Sequence, residues 1–310
     1  AEEGEKVEIP TEDEAVAYRD GVLVTSAAGT VRFMSQKNYS ALAAEARKMD
    51  GELPADAVAV NNKGWILAFT DRGNAARLDI GSAQEKRWKE KGASLSQFNP
   101  EIHIDEKPVK IMFFPSAPVG EVIIYTEKGM VKRTELAEFG SMRGAGTAMA
   151  LSDGDRVIGV EVVEEGMNVL EVTREGLCLV YAMNEVPVQG RKASGVRGIK
   201  LNDGDLVAYA GQTDDEGEII VMASTGHLKR VISSTIDPGS RYNKGVKIIE
   251  LAGGKVCFVG TVKMPYDLYV VTPTGTEVVN TEDIRLDTRV TKGKQAFKAG
   301  IVGAYRIIGQ

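Results

Sequence analysis

VLVTSAAGTVRF (residues 22–33) is a short apolar run that stops at a Ser/Thr-type turn, meets a glycine and resumes as a strand. Five further copies follow it: ILAFTDRGNAARL (66–78), VIIYTEKGMVKR (122–133), VLEVTREGLCLV (169–180), IIVMASTGHLKR (219–230) and LYVVTPTGTEVV (268–279). The shared glycines, Gly29, Gly73, Gly129, Gly176, Gly226 and Gly275, are 44, 56, 47, 50 and 49 residues apart. A repeat of about 50 residues made only of strands and turns is typical of a ring or array of small β-sheets.

A second apolar element of strand length recurs between these predicted hairpins. Its copies are ADAVAV (55–60), PVKIMFF (108–114), DRVIGVEVV (155–163), DLVAYAG (205–211), KVCFVGTV (255–262) and GIVGAYRII (300–308). Five copies precede a hairpin, whereas the last has no hairpin after it and the first hairpin has no such strand before it. We therefore expect the C-terminal segment to pair beside the first hairpin and to close a six-bladed ring, because closure removes exposed sheet edges.

A third element follows the later hairpins and is clearest as SGVRGIKLNDGD (194–205). Related versions are SMRGAGTAMALSDGD (141–155), RYNKGVKIIELAGG (241–254) and TKGKQAFKAG (291–300). With this element each blade has about four strands, as expected of a propeller. The predicted fold class is therefore all-β: a propeller-like closed ring of six four-stranded blades.

Composition places further bounds on the protein. Cys178 and Cys257 are the only cysteines, and each lies in an apolar strand pattern, so buried free thiols are expected rather than a disulfide. The sequence contains no signal peptide and no apolar run long enough to cross a bilayer. We expect a soluble, cytoplasmic protein with no membrane partner.

Charge is distributed unevenly along the chain. The 38 basic and 44 acidic residues give a net charge of −6, and residues 1–20, with eight acidic and two basic residues, account for all of it. The remaining chain has 36 residues of each sign. Residues 1–20 are predicted to be an acidic linker to something upstream, and residues 21–310 to form the ring domain.

Basic residues gather at hairpin ends and in the loops that follow. They are Arg32, Lys132, Arg133, Arg143, Arg191, Lys192, Arg197, Lys200, Lys229, Arg230, Arg241, Lys244, Lys247, Arg285, Arg289, Lys292, Lys294 and Lys298. Equivalent positions of successive repeats fall at equivalent places in a ring, so these residues would form a positive rim. Such a rim can follow a bent phosphate backbone without reading bases. The alternative is that these lysines and arginines only solubilise loops.

The T-x-x-G-x-x-x-R/K hairpin, repeated six times with the GVRGIKLNDGD connector, resembles the C-terminal domain of the A subunit of bacterial DNA gyrase and topoisomerase IV. The resemblance implies a β-pinwheel, in which blades exchange the connector strand, with Arg197 and Lys200 near its rim. It implies sequence-nonspecific binding and bending or wrapping of duplex DNA. The implied partners are the ATPase (B-type) subunit of an ATP-dependent type IIA topoisomerase and the N-terminal breakage-reunion domain of the same A subunit. Catalytic and metal-binding residues belong to other domains, so no catalytic residue, metal or cofactor is expected here.

Gyrases of that family have the box Gln-Arg-Arg-Gly-Gly-Lys-Gly after the first hairpin. Here the interval reads SQKNYSALAAEARKMDGELP (35–54), in which Ala41–Met49 is predicted to form a short helix. This departure favours the topoisomerase IV type over a divergent gyrase, and puts negative supercoiling by wrapping in doubt.

Other chemistries have little support in the sequence. His103 and His227 are the only histidines; they are two repeats apart and lack a cluster of cysteines or carboxylates at ligand spacing, so no metal site is expected. Neither a phosphate-binding G-x-x-x-x-G-K-[ST] loop nor a G-x-S-x-G nucleophile motif occurs. Trp65 and Trp88 are predicted to be packing anchors.

Residues 83–91 are predicted to form a surface helix, with a partner-binding role for it as the alternative to a solvated insertion. The alternative function for the whole chain is a protein-binding propeller of kelch or RCC1 type, although kelch blades have a Gly-Gly pair in each repeat and only Gly253-Gly254 occurs here.

Overall fold

The computed structural model describes residues 17–310, which are almost entirely β-structure. In chain order the strands are β1 (Asp20–Ser26), β2 (Val31–Met34), β3 (Pro54–Asn61), β4 (Trp65–Thr70), β5 (Asn74–Arg77), β6 (Pro108–Phe114), β7 (Glu121–Thr126), β8 (Met130–Glu135), β9 (Ala145–Thr147), β10 (Val157–Val162), β11 (Asn168–Thr173), β12 (Leu177–Ala182), β13 (Val196–Arg197), β14 (Val207–Thr213), β15 (Glu218–Ala223), β16 (His227–Ile232), β17 (Val246–Lys247), β18 (Val256–Val262), β19 (Asp267–Thr272), β20 (Gly275–Asn280), β21 (Lys294–Gln295) and β22 (Gly303–Arg306). The helices are α1 (Gln36–Glu45) and α2 (Ala137–Gly140), and 3-10 turns span Ala46–Lys48, Leu95–Gln97, Met183–Glu185, Ser233–Thr235 and Thr281–Asp283.

The hairpin motif folds through its threonine and glycine. Gly129 adopts φ +80° and its N–H donates to Thr126 O at 3.0 Å, while Thr126 Oγ1 accepts from Met130 N at 3.0 Å. The first five shared glycines have φ between +77° and +86°, a region in which a side chain would be strained. Gly275 differs, with φ +147°, because the sixth hairpin closes with a shorter turn between Thr272 and Gly275.

The six sheets are the predicted six blades. From the inner strand outward they are blade 1 (β3-β1-β2), blade 2 (β6-β4-β5-β9), blade 3 (β10-β7-β8-β13), blade 4 (β14-β11-β12-β17), blade 5 (β18-β15-β16-β21) and blade 6 (β22-β19-β20). The inner strands β3, β6, β10, β14, β18 and β22 each contact the next, and β22 contacts β3. The ring is therefore closed, which confirms the predicted all-β, six-bladed fold.

The predicted pairing of the C-terminal segment is wrong. Strand β22 pairs with β19 of the last hairpin, with Leu268 opposite Arg306, and not with the first hairpin. Every inner strand likewise pairs with the first strand of the hairpin that precedes it, as β3 does with β1 and β6 with β4. Blade 1 and blade 6 thus meet by packing of side chains rather than by a shared strand.

The short third element is exchanged between blades, as the resemblance implied. Strand β13 follows the hairpin of blade 4 but pairs with β8 of blade 3, with Met130 opposite Arg197. Strands β9, β17 and β21 complete blades 2, 4 and 5 in the same way. The expectation of four strands in every blade is wrong for blades 1 and 6, which have three among the described residues. In blade 1 the fourth strand is reduced to an isolated bridge between Val31 and Ala93.

The hydrophobic core lies between neighbouring blades. One cluster joins Leu67 and Phe69 of blade 2 to Val122 and Ile124 of blade 3. The contact between blades 1 and 6 is made by Val24, Leu42, Tyr269 and Ile307, which are all buried. Tyr269 Oη also donates to Ala46 O, so the 3-10 turn after α1 is part of this contact.

The two predicted helices have different outcomes. The short helix predicted at Ala41–Met49 is confirmed, although α1 begins at Gln36, where the Ser35 side chain accepts from Asn38 N. The helix predicted at residues 83–91 is wrong. That segment runs along blade 1, where Lys86 N donates to Phe33 O, and the Trp88 ring lies 4.2 Å from the Arg32 guanidinium carbon. These tertiary contacts outweigh the helical propensity of the segment.

The remaining structural expectations concern cysteines, tryptophans and membranes. Both cysteines are free thiols; Cys178 is buried and Cys257 half-buried. Trp65 packs against Arg77, with 3.8 Å between ring and guanidinium carbon, which supports its anchoring role. None of the helices formed by residues 17–310 is long and apolar enough to cross a bilayer. Residues 1–16 of the predicted acidic linker lie outside the described residues.

Candidate nucleic-acid interface

The exchanged strands are the outermost strands of blades 2–5 and therefore carry the perimeter of the ring. On each of three of them a basic residue projects from the blade edge: Arg197 on β13, Lys247 on β17 and Lys294 on β21. All three side chains are exposed. Strand exchange thus places cations from successive repeats along one edge.

Ten of the predicted basic residues are exposed. They are Arg143, Lys192, Arg197, Lys200, Lys244, Lys247, Arg285, Lys292, Lys294 and Lys298. Lys247 forms an ion pair with Glu250, and Arg285 forms one with Asp287. Of the other eight, Arg143 lies in blade 2, two residues before Ala145, whose N–H donates to the Glu101 carboxylate. The remaining seven belong to blades 3–5, and none of them forms an ion pair with another residue among 17–310.

Three predicted DNA contacts are wrong because their side chains are buried. Lys132 and Lys229 are 0% exposed and Arg32 is 2% exposed. Lys132 Nζ donates to Gly190 O and Arg191 O at 2.8 and 2.9 Å. Lys229 Nζ donates to Thr288 O, Arg289 O and Thr291 O at 2.6, 3.0 and 2.8 Å. Burial lowers the pKa of each lysine to about 8.

These buried cations hold the loops that precede the exchanged strands. The carbonyls bound by Lys132 lie just before Lys192, and those bound by Lys229 lie just before Lys292. Arg32 acts similarly in blade 1, where its Nε donates to Glu90 O at 2.9 Å and its guanidinium pairs with Glu52. The three residues therefore position the rim from inside and are not available to a phosphate.

Arg133 and Arg230 are half-buried at the ends of their hairpins. Arg133 pairs with Glu121 at 2.8 Å and Arg230 with Glu218 at 2.6 Å. Each Nε also donates to a carbonyl, Val186 O for Arg133 and Ile284 O for Arg230. Both guanidinium groups are thus largely satisfied by the protein.

Arg191, Arg241 and Arg289 occupy equivalent positions, four residues before Gly195, Gly245 and Gly293, and all are half-buried. Arg241 Nη1 donates to Arg197 O at 2.6 Å, and Arg289 Nη1 donates to Lys247 O at 2.9 Å. Each of these two arginines ties its loop to the exchanged strand of the preceding blade. They fix the spacing between the rim cations of blades 3, 4 and 5.

Tyr242 lies among these cations and was not predicted. It is 38% exposed, and its Oη accepts from Arg197 Nη1 at 2.8 Å. The only sequence signal is a single aromatic residue within the basic segment RYNKG (241–245).

The ring also contains a charged cavity beside its inner strands. A cavity of about 400 Å³ opens beside the inner strands of blades 3–5, lined in part by Glu127, Arg156, Arg174 and Lys255. The single carboxylate, Glu127, is paired with Arg156 and Arg174. Residues 17–310 contain no group of three or more His, Cys, Asp or Glu side chains that could hold a metal ion.

Comparisons with known proteins agree with this architecture. The family model described as DNA gyrase C-terminal domain, beta-propeller, matches residues 64–101, 120–164 and 168–214. The A subunit of DNA topoisomerase 4 from Staphylococcus epidermidis is 25% identical over 94% of this chain and 37% of its own length. The A subunit of DNA gyrase from Escherichia coli is 26% identical over 95% of this chain and 35% of its own length. The chain thus spans about a third of these relatives.

Two solved structures share the fold. The crystal structure of the C-terminal domain of DNA topoisomerase IV has a TM-score of 0.82 at 24% identity, covering 94% of each chain. The structure of the DNA gyrase A C-terminal domain has a TM-score of 0.69 at 17% identity, covering 94% of this chain and all of that one.

Proposed function

We propose that this chain, which belongs to the family of the C-terminal β-propeller domains of DNA gyrase and topoisomerase IV A subunits, binds duplex DNA without sequence preference along the rim of blades 3–5 and bends it. The observation that carries the proposal is the row of exposed cations on and beside β13, β17 and β21. A series of cations at the edge of a disc suits a phosphate backbone, which presents charge at regular spacing whatever the base sequence.

The arc is uneven around the ring, and this sets the proposed path of DNA. Of the predicted rim cations, blade 2 contributes Arg143 alone, and blade 6 has no exchanged strand among residues 17–310. DNA held by blades 3–5 would therefore be bent over part of the perimeter. The net charge of −6 does not oppose this, because residues 1–20 account for it.

In this proposal the chain is one part of a type IIA topoisomerase that works in the cytoplasm on the nucleoid. The breakage-reunion domain of the same polypeptide, together with an ATP-consuming B-type subunit, would cut, pass and rejoin DNA, while this domain presents a bent segment to them. The domain itself would need no cofactor and would make no bond.

We further assign the domain to the topoisomerase IV type. The interval after the first hairpin forms α1, which contains no arginine and no glycine and packs into the contact between blades 1 and 6. Lys37 of this helix, and the Arg47 and Lys48 that follow it and pair with Asp267 and Glu45, do not form the glycine-rich basic loop with which a gyrase box could complete a wrap at that place. DNA would therefore bend without making a full circuit.

The first experiment measures duplex binding as a function of salt. Arg197→Glu, Lys247→Glu and Lys294→Glu together should weaken binding and reduce the log–log salt slope by up to about 2.7, at about 0.9 for each phosphate that is no longer neutralised. The matched control reverses three exposed lysines of the blade 1 side, Lys37, Lys89 and Lys91, and should keep the wild-type slope. Equal slopes for both triple variants would overturn the proposed path, and absence of binding at low salt would favour a protein-binding propeller.

The second experiment ligates nicked circles in the presence of the domain and counts the change in linking number. We expect a shift well short of one turn for each bound domain. A shift approaching one positive turn would contradict the topoisomerase IV assignment and indicate a gyrase.

A further inference from the structure

Tyr242 has an unusual backbone. Its φ is +68°, and no other residue except glycine has a positive φ among residues 17–310. A tyrosine in this left-handed region is strained, because its Cβ approaches the following carbonyl. Such strain persists only where the surrounding structure imposes it, and it is concentrated at functional sites.

Contacts to the exchanged segment of blade 3 impose this conformation. Arg241 Nη1 donates to Arg197 O, Tyr242 N donates to Gly198 O at 2.5 Å, and Lys200 N donates to Asn243 O at 2.9 Å. The neighbouring loops accept a bond equivalent to that from Lys200 N to Asn243 O. These bonds run from Ala150 N to Ala193 O and from Glu250 N to Thr291 O. The loops do so without a left-handed residue at Lys192 or Val290, which correspond to Tyr242. The strained tyrosine is therefore not a requirement of the loop.

The side chain of Tyr242 lies between two exposed cations. The Arg197 guanidinium carbon is 5.6 Å and Lys200 Nζ is 6.0 Å from the centre of its ring. Because Arg197 Nη1 donates to Tyr242 Oη, the phenol oxygen acts as an acceptor there and its own hydrogen is left to donate elsewhere. No carboxylate among the described residues forms an ion pair with Arg197 or Lys200.

We propose that Tyr242, Arg197 and Lys200 form a single binding site for one phosphate of the DNA backbone. The two cations provide charge, and the phenol hydroxyl provides a neutral donor aimed at a phosphate oxygen. The proposal rests on the proposed function and refines it, because it names the groups that hold one phosphate at the junction of blades 3 and 4.

The test compares Tyr242→Phe with wild type in duplex binding across a range of salt concentrations. The variant keeps the ring and loses one neutral hydrogen bond, so affinity should fall about three- to ten-fold. The salt slope should stay unchanged, because a hydroxyl displaces no counterion, whereas Arg197→Gln should reduce the slope by about 0.9. Tyr18→Phe, at another exposed tyrosine, is the matched control and should bind as wild type does. Wild-type affinity of Tyr242→Phe would overturn the proposal.

Two further measurements separate this role from others. Tyr242→Gly, which adopts positive φ without strain, should melt no lower than wild type and should bind DNA more weakly; a lower melting temperature with unchanged affinity would make Tyr242 structural and overturn the proposal. Inorganic phosphate at millimolar concentration should compete no better than its ionic strength predicts, and specific competition by it would identify a free-anion site instead. If wild type failed to bind DNA, the proposed function would be overturned. If wild type and Tyr242→Phe bound DNA equally, only the phosphate site at Tyr242 would be overturned.

Discussion

Blades 5 and 6 contain the same hairpin but end differently at the perimeter. In blade 5 the outer strand β16 is covered by the exchanged strand β21, whereas in blade 6 the outer strand β20 pairs only with β19 among residues 17–310. The segment that would complete blade 6 by the rule of the other blades follows the first hairpin, and it forms α1. Whether the outer edge of a blade is covered thus depends on the segment that follows the next hairpin and not on the blade's own hairpin.

The same difference appears at one side-chain position. Lys229 on β16 faces Val221, and Glu277 on β20 faces Val270, so the two residues are equivalent by pairing. Lys229 is buried under the loop that leads into β21, while Glu277 is exposed. In blade 5 this position holds a buried cation that binds the loop leading into β21, and in blade 6 it holds an exposed anion with no such loop among residues 17–310.

The largest expected effect is on blade 6 itself, because it has only three strands among residues 17–310. Deleting residues 300–310 removes β22 and the buried Ile301, Ile307 and Ile308. At about 1.5–3 kcal/mol for each buried side chain, the loss should be on the order of 5 kcal/mol or more. Thermal unfolding should show aggregation or a large fall in melting temperature.

The control for this deletion removes Gly309 and Gln310 alone. It loses the hydrogen bond from Asp267 N to Gln310 Oε1 and should cost only about 0.5–1.5 kcal/mol. If the longer deletion melted at the wild-type temperature, β22 would not be needed to complete blade 6 and the closed ring would be wrong.

A smaller effect is expected from the equivalent positions of blades 5 and 6. Lys229→Met leaves the carbonyls of Thr288, Arg289 and Thr291 without their donor, and should reduce the free energy of unfolding by roughly 2–4 kcal/mol. Glu277→Met, at the exposed position, should change it by less than about 0.5 kcal/mol. Denaturant titration of both variants measures the difference, and equal effects would show that the buried lysine does not hold its loop.

A third effect depends on pH and concerns the exchanged segment of blade 3. Glu171 on β11 of blade 4 is buried and accepts from Tyr181 Oη at 2.5 Å and from the backbone N–H of Ile199. Burial raises the pKa of Glu171 from 4.5 to about 7. The folded state therefore binds this proton more tightly than the unfolded state does. The resulting stabilisation is complete below about pH 4.5 and is lost as the pH rises through 7.

The Glu171→Gln variant has no carboxyl group at position 171 to titrate. The difference between its free energy of unfolding and that of wild type should therefore shift in its favour by an amount on the order of 3 kcal/mol between pH 4.5 and 7. Glu165→Gln, at an exposed glutamate of the β10–β11 turn, should follow the wild-type profile. Parallel curves for wild type and Glu171→Gln would contradict the assignment. Blade 6 has Val270 at the position of Glu171 and, among the residues that the structure describes, no exchanged segment, so we expect no such titration there.

The sequence predicts those features that depend on contacts within one repeat. A threonine or serine three residues before the glycine occurs in five of the six hairpins, and its hydroxyl satisfies the turn locally, as Thr126 Oγ1 does. The fifth hairpin has Ala223 at that position and forms the turn through the bond from Gly226 N to Ala223 O. Strand exchange followed from the resemblance to a known family. The pairing of β22 was not predictable from spacing, since an apolar strand between two hairpins can pair with either one.

Site residues were harder to predict than the fold. Lys132 and Arg197 look alike in sequence, each a basic residue near a turn, but one lies under a loop and the other at the edge. Burial at these positions depends on a segment about 60 residues further along the chain, such as Gly190 for Lys132. The strain at Tyr242 has the same origin, since it arises from contacts with Gly198 in another repeat.

Strand exchange also imposes an order on synthesis. Asn74 of blade 2 pairs with Thr147, 73 residues later, and His227 of blade 5 pairs with Gln295, 68 residues later. At about 5–20 residues per second, a ribosome needs roughly 4–15 s to deliver the strand that completes blade 2. Each of these blades keeps an open edge until the segment after the next hairpin has been synthesised. Contacts at such separations also form slowly. Until its exchanged strand has been synthesised, each of these blades therefore has an open edge that can associate with the edge of another chain.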